Sequence, residues 1–152
     1  MFVYVAEQVL RSNYGYKLFI SSESQFIKKI CSKYNLSFIK RPKKLSGPEI
    51  EKQEAIVHAV KFLIKKNLNF DFVVSLQANS PQIKYKDLDK AINFFLKNNK
   101  KGKILNEVIS VGTDNLQNGA FRIMKKKTVF QKTLSTKVGI FVADYIDIHN
   151  KK

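Results

Sequence analysis

Gln77, Asn79 and Ser80 follow an apolar run, Phe70-Asp71-Phe72-Val73-Val74-Ser75-Leu76, and place amide and hydroxyl groups at its end. Groups of this kind hydrogen-bond a ligand without needing a charge. An apolar run of this length reads as a strand covered on both faces, the habit of a central parallel strand. In an open α/β sheet, ligands bind just beyond the carboxyl ends of such strands. Asn, Ser and Pro are also common in ordinary strand-to-helix turns, so the local pattern alone supports a plain loop as well. Two other chemistry-bearing residues read as structural. Cys31 shares a helical face with Ile27, Ile30 and Tyr34, which makes it a small core residue. His58 lies off the apolar stripe of its helix, has no second His or Cys at ligand spacing, and reads as partly exposed.

Those groups need elements to position them. Residues 1–11 can form a helix with Val5, Val9 and Leu10 inward. Tyr16 to Ile20 reads as a strand, and Ser22 with Gln25 as a capping box for the helix that follows. Leu36 to Ile39 is a second strand, followed by a loop at Arg41-Pro42. Ser46 with Glu49 caps a helix running to Lys66. After the strand ending at Leu76 comes an amphipathic helix carrying Leu88, Ala91, Ile92, Phe95 and Leu96. Glu107 to Val111 is a strand and Gly112 to Gly119 a loop. Ala120 to Met124 and Val138 to Val142 complete the strands. This alternation predicts a single α/β domain over residues 1–152, a three-layer α/β/α sandwich with a mainly parallel, Rossmann-like sheet. Right-handed crossovers bring three polar loops to one edge: Ser21 to Ser24, Arg41 to Ser46, and Gln77 to Pro81.

The chain has 152 residues, 28 Lys+Arg against 12 Asp+Glu, and a formal net charge of +16. Such a balance attracts polyanions. Yet Arg occurs only at 11, 41 and 122, and the lysines are spread along the chain beside many Asn and Ile. That pattern looks like a coding bias, and nucleic-acid sites recruit Arg for bidentate contacts. Nucleic acid is therefore not the expected main partner, and anionic small molecules are. No apolar run reaches membrane-spanning length. No secretory leader is expected at the N-terminus, and the lone cysteine fits a reducing cytoplasm.

Taken together, the motifs resemble the acylneuraminate cytidylyltransferases, the CMP-sialic acid synthetases. In order they are Ser-Ser-Glu-Ser at 21–24, Arg-Pro-x-x-Leu-Ser at 41–46, Ala-Ile-Val-His-Ala at 55–59 and Val-Val-x-Leu-Gln-x-x-Ser-Pro at 73–81. Val-Ile-Ser-Val at 108–111, Asn-Gly-Ala at 118–120 and Ile-Asp-Ile at 146–148 continue the same order. The resemblance runs from about Met1 to Asn150 and implies a nucleotide-diphospho-sugar transferase fold. It implies transfer of CMP from CTP to a nonulosonic sugar acid with Mg²⁺ as cofactor, and it allows a homodimer. It also implies site residues: Arg41 near the nucleotide, Gln77 and Ser80 in the nucleotide and sugar loop, Asn118 and Gly119 near the sugar, and Asp147 on the metal. The 3-deoxy-manno-octulosonate cytidylyltransferases are a related family that fits less well, because the same strand there leads into an acidic loop.

Several positions depart from the family pattern. Ser22-Glu23 stands for Thr-Asp, Ala78-Asn79 for Pro-Thr, and Gln82-Ile83 for Leu-Arg. His149 replaces the second metal acid, and Mg²⁺ prefers oxygen ligands. The family's first strand and Arg/Gly-rich phosphate loop have no counterpart in this sequence. A degenerate or N-terminally truncated member is therefore expected, with catalysis in doubt and nucleotide or sugar-acid binding retained. The alternative is a non-catalytic basic module binding nucleic acid or another polyanion.

Overall fold

The structure, a computed structural model, describes residues 1–145 except Lys101, Lys103 and Leu134. The chain forms two compact units: residues 17–70, and residues 1–16 joined with the chain from Asp71 onward. Among the described residues, no helix is long and apolar enough to cross a membrane.

In the first of these units, β1 (Phe19–Ser22) and β2 (Ser37–Lys40) pair in parallel, from Phe19↔Ser37 to Ser22↔Lys40. Helix α2 (Gln25–Lys33) connects them. Ladder pairing extends β1 to Ser22, so Ser22 is a strand residue and not the expected helix cap. Ser24 caps instead, its Oγ accepting from Ile27 N at 3.3 Å. Cys31 and Ile39 are buried between helix and strands, as helical spacing predicted for Cys31. Helix α3 (Lys52–Lys65) begins six residues after Ser46 and has no side-chain cap. Ser46 is already engaged: its Oγ accepts from Arg41 Nε at 3.1 Å and donates to Pro42 O at 3.3 Å. His58 is half-buried on α3.

The second unit holds α1 (Phe2–Leu10), β3 (Phe72–Leu76), α4 (Tyr85–Lys100), β4 (Glu107–Val111), β5 (Gln117–Lys125) and β6 (Val138–Val142). The sheet order is β3-β5-β4-β6. β4 and β6 are parallel, and β5 runs antiparallel to both β3 and β4. β3, β4 and β6 therefore share one direction, so three of the four strands here run the same way, and β1 and β2 are parallel within their own unit. β3 lies at the end of this order and every one of its residues is half-buried. The expected central, parallel strand is thus found at the end of this sheet, antiparallel to β5, because an apolar run records how much cover a strand has and not which neighbour it takes. β5 begins three residues earlier than expected and shortens the loop after β4.

Helix α4 buries Leu88, Ala91, Ile92 and Phe95, the i, i+3, i+4, i+7 stripe of an amphipathic helix. Asp87 in its first turn and Lys97 and Lys100 in its last suit the helix dipole. Polar contacts fix α1 to α4. The Ser12 hydroxyl donates to Asp89 Oδ1, Asn13 N and Nδ2 both reach Asp89 Oδ2 at 3.3 Å, and Tyr85 N donates to Gln8 Oε1 at 3.2 Å.

One ion pair has a fully buried carboxylate and a partly exposed guanidinium. Glu107 has no exposed surface, and Arg122 meets its Oε2 through Nε at 2.6 Å and Nη2 at 2.5 Å. Ser135 N donates to Oε1 at 2.8 Å. Removing one partner strands the other charge. Arg122→Ala is expected to cost about 3–5 kcal/mol in urea unfolding, and the double change Glu107→Met/Arg122→Leu should recover most of it. An equal loss in the single and double variants would refute this reading.

Candidate active site

Because β3, β4 and β6 run the same way, their carboxyl ends share one edge of the four-stranded sheet, and β5 enters at that edge. Gln77, Gly112, Asn118, Gly119 and Asp144 all stand there. Gln77 N donates to Ala120 O at 2.9 Å, so the backbone fixes where the side chain starts. The side-chain Nε2 is buried and has no hydrogen-bond partner. A buried amide left so is a donor awaiting an acceptor, because an unmade bond costs about 1–3 kcal/mol. Ser80 is fully buried in the turn that follows, its N–H on Gln77 O at 3.4 Å and its carbonyl accepting from Ile83 N at 3.3 Å.

Asn118 is a clamp. Its Oδ1 accepts from Ser110 Oγ at 2.6 Å and Ala120 N at 3.2 Å, while Nδ2 donates to Ala143 O at 2.6 Å. One side chain thus joins β4, β5 and the segment after β6. Gly119 follows with φ of 67°, a left-handed backbone in which a side chain is strained.

Two carboxylates that sequence reasoning did not single out stand at this edge, one in the turn between β4 and β5 and one just past β6. Asp114 Oδ1 accepts from Leu116 N at 2.9 Å. Asp144 Oδ1, just past β6, accepts from Thr113 N at 2.7 Å and Thr113 Oγ1 at 3.2 Å. Gly112 lies between them: a methyl group there would come within 2.6 Å of Asp114 Oδ1 and 3.2 Å of Asp144 Oδ1. With Gln117, Asn118 and Tyr145 these residues line a cavity of about 400 Å³. Tyr145 donates to Asp87 Oδ2 at 3.1 Å, and burial, then the Asp87 charge, push its phenol well above the ordinary range, so it stays protonated. The signal for this pair was present in the sequence as acids in the two segments that end β4 and β6, but nothing in the spacing joins positions 114 and 144.

In the other unit, β1 and β2 end at a common edge because they are parallel. Arg41 follows β2, its N–H on Ser22 O at 3.0 Å. Its Nη2 meets Glu23 Oε2 at 3.0 Å. The Glu23 carboxyl is held below its ordinary range, first by its own backbone N–H and then by Arg41. The loops at Ser21–Ser24 and Arg41–Ser46 thus come together as expected, and Arg41 points at Glu23 and Ser46.

Asp147 and His149 lie outside the described residues, so the expected metal pair is not placed. Among the described residues, no group of three His, Cys, Asp or Glu side chains is arranged to hold a metal. Asp114 and Asp144 still fit Mg²⁺, which is bound through one or two carboxylates together with substrate phosphates and water.

Comparison with known proteins gives the family. A family profile described as Cytidylyltransferase matches residues 1–144. No curated protein matches the chain. Among solved structures, a cytidylyltransferase from Leptospira borgpetersenii is 17% identical with a TM-score of 0.59, over 83% of this chain and 49% of that one. The chain therefore spans about half the length of that protein. A CMP:2-keto-3-deoxy-manno-octonic acid synthetase complexed with CTP gives a TM-score of 0.67 at 10% identity, over 96% of this chain and 81% of its own. A 4-diphosphocytidyl-2C-methyl-D-erythritol synthase from Anaerococcus prevotii gives 0.63 at 14% identity, over 97% and 79%. At such identities the likeness establishes the fold, that of the nucleotide-diphospho-sugar transferases. The profile match, spanning nearly the whole length, establishes the rest: this chain belongs to the cytidylyltransferase family.

Proposed function

We propose that the chain binds CTP and serves transfer of its CMP group to a sugar acid of the acylneuraminate type. In that reaction a sugar hydroxyl oxygen bonds to the α-phosphorus, the bond to the bridging oxygen breaks, and pyrophosphate leaves with its electron pair. The hydroxyl proton passes to solvent or a nearby base. The observation that carries the reading is the buried, unpartnered Gln77 amide at the carboxyl edge of a sheet whose family is built around CTP chemistry. Gln77 Nε2 donates to an acceptor on the nucleotide. Asn118 and Gly119 fix the strand ends that form the floor of the sugar side.

The charge of the cavity supports Mg²⁺ as the cofactor. Two carboxylates beside each other repel both a triphosphate and a sugar acid. Asp114 and Asp144, with Asp147 by resemblance, would hold the ion, which supplies positive charge to the phosphates and the departing pyrophosphate. Arg41 contributes a guanidinium at the edge of its own unit, kept in place by Glu23 and Ser46.

The pure chain should bind CTP by calorimetry in the presence of Mg²⁺, and Gln77→Ala should weaken binding about tenfold, the loss of one buried hydrogen bond. Pyrophosphate release with a panel of nonulosonic acids tests the transfer itself. Absence of any CTP binding sinks the reading for this chain. Asp144→Asn should leave folding intact and remove the Mg²⁺ dependence of CTP binding, while an unchanged dependence would take Asp144 out of the metal site.

The Glu23–Arg41 pair has a defined pH behaviour. A carboxyl lowered in the folded state contributes stability that is present above its unfolded value and fades as pH falls through the folded value. Arg41→Ala should therefore raise the Glu23 titration midpoint measured by carbon NMR. An unmoved midpoint would show that the backbone N–H alone holds it down.

A further inference from the structure

The edge of the four-stranded sheet opposite the candidate site is basic. β5 ends there at Lys125 and runs into Lys126 and Lys127, and β6 begins there just after Lys137. Asn106 lies between the two strands: Lys125 N donates to Asn106 O, and Asn106 N donates to Lys137 O, both at 2.9 Å. Lys125 and Lys137 are therefore two strand spacings apart, about 10 Å. That is within about one Debye length at ordinary salt, so their fields add. Lys127 precedes the 3₁₀ turn Thr128–Phe130 and is exposed, as is Lys137. Among the described residues, Lys125, Lys127 and Lys137 have no acidic partner. Burial, then the charges of Lys127 and Lys137, lower the Lys125 ammonium below its ordinary value, in keeping with the closeness of the three cations. Phe130 closes the turn with its N–H on Lys127 O at 3.4 Å, and 43% of the residue is exposed.

The sequence argued against a polyanion because its lysines are dispersed and arginine is scarce. The fold removes the first objection at this edge, gathering three lysines beside one ring that lies outside the core. We propose that this edge binds single-stranded nucleic acid, with phosphates on Lys125, Lys127 and Lys137 and a base stacked on Phe130. Lysines provide the sequence-independent contact to the backbone. A lone exposed ring suits an unpaired base, since stacking on an aromatic needs a base free of its duplex neighbours. The surface lies away from the nucleotide edge and does not depend on the cytidylyltransferase reading.

The test is fluorescence anisotropy of the full chain with a labelled oligo-uridine of about twelve nucleotides, titrated from low to physiological salt. Three phosphate contacts predict a slope of log affinity against log salt of about −2. The K125Q/K127Q/K137Q variant should lose at least about tenfold in affinity and flatten that slope. The K28Q/K29Q/K33Q variant removes the same charge from α2 and should lose less than about threefold. Phe130→Ala should lose about tenfold, and Phe130→Tyr should restore it. Circular dichroism melts verify that each variant folds, and the lysine pair decides the matter even if Phe130→Ala does not fold. Equal losses in the two lysine variants would mean diffuse charge and overturn the proposal. So would displacement of the oligonucleotide by excess CTP, which would put it in the nucleotide site. Binding to phosphatidylserine vesicles with none to the oligonucleotide would overturn it in favour of a membrane surface.

Discussion

Asn118 holds the candidate site together. Its three hydrogen bonds join β4, β5 and the segment after β6 at the edge where the ligand groups stand. The bonds to Ser110 and Ala143 cross between chain segments, and the one from Ala120 N orients the side chain within β5. Ser110 is the partner that makes the clamp rigid: fully buried, it donates its one proton to Asn118 Oδ1 at 2.6 Å and accepts from Phe121 N at 3.2 Å. With both hydroxyl roles filled, Ser110 can hold Asn118 in only one orientation. The backbone of Ala143 is fixed by Asn118, and Asp144 is the next residue. The carboxylate that meets Thr113 thus inherits its position from an amide two strands away.

Direction matters as much as contact. A sheet in which β3, β4 and β6 agree and β5 opposes them sorts loops onto two edges. One edge receives Gln77, Asp114, Asn118 and Asp144. The other receives Lys125, Lys127 and Lys137. Neither grouping exists along the chain, where residues 112–127 form one nearly continuous stretch from the acidic edge to the basic one. β5 is the element that carries the chain across, and the Glu107–Arg122 pair bridges it diagonally to β4 beside the ladder pairs Glu107↔Met124 and Ile109↔Arg122.

Much of the frame was legible. The helical stripe of α4, the burial of Cys31 and the strands at 107–111 and 138–142 follow from periodicity, since burial of one face is what periodicity records. The edge shared by the loops after β1 and β2 followed from expecting parallel strands. The capping residues were less legible. Ser22 and Ser24 both suit a cap, and only the β1–β2 ladder decides between them. Ser46 was assigned to a helix that it does not touch, because a hydroxyl near Arg41 finds a charged donor first. The pairing of Asp114 with Asp144 was invisible, since it depends on the parallel neighbour β6 and not on any local spacing. The place of β3 at the end of its sheet was invisible for a like reason.

The net charge of +16 and an acid-lined cavity look opposed, but they act over different distances. Twenty-eight basic side chains spread over the chain make a field that an anion meets before it reaches the surface, and such a field raises encounter rates. It says nothing about which groups the anion touches at the end. Within the cavity, the distances are hydrogen-bond distances and the nearest charges dominate. There, Asp114 and Asp144 line the cavity, and in the proposed reading they would match an anion that arrives with a divalent cation. A triphosphate brings such a cation with it, whereas a bare sugar carboxylate does not. The long-range field therefore collects anions of every kind, and under the proposed Mg²⁺ reading the local pair would favour the metal-bound ones. The strand directions contribute to that division by sending Lys125, Lys127 and Lys137 to the edge opposite the two aspartates.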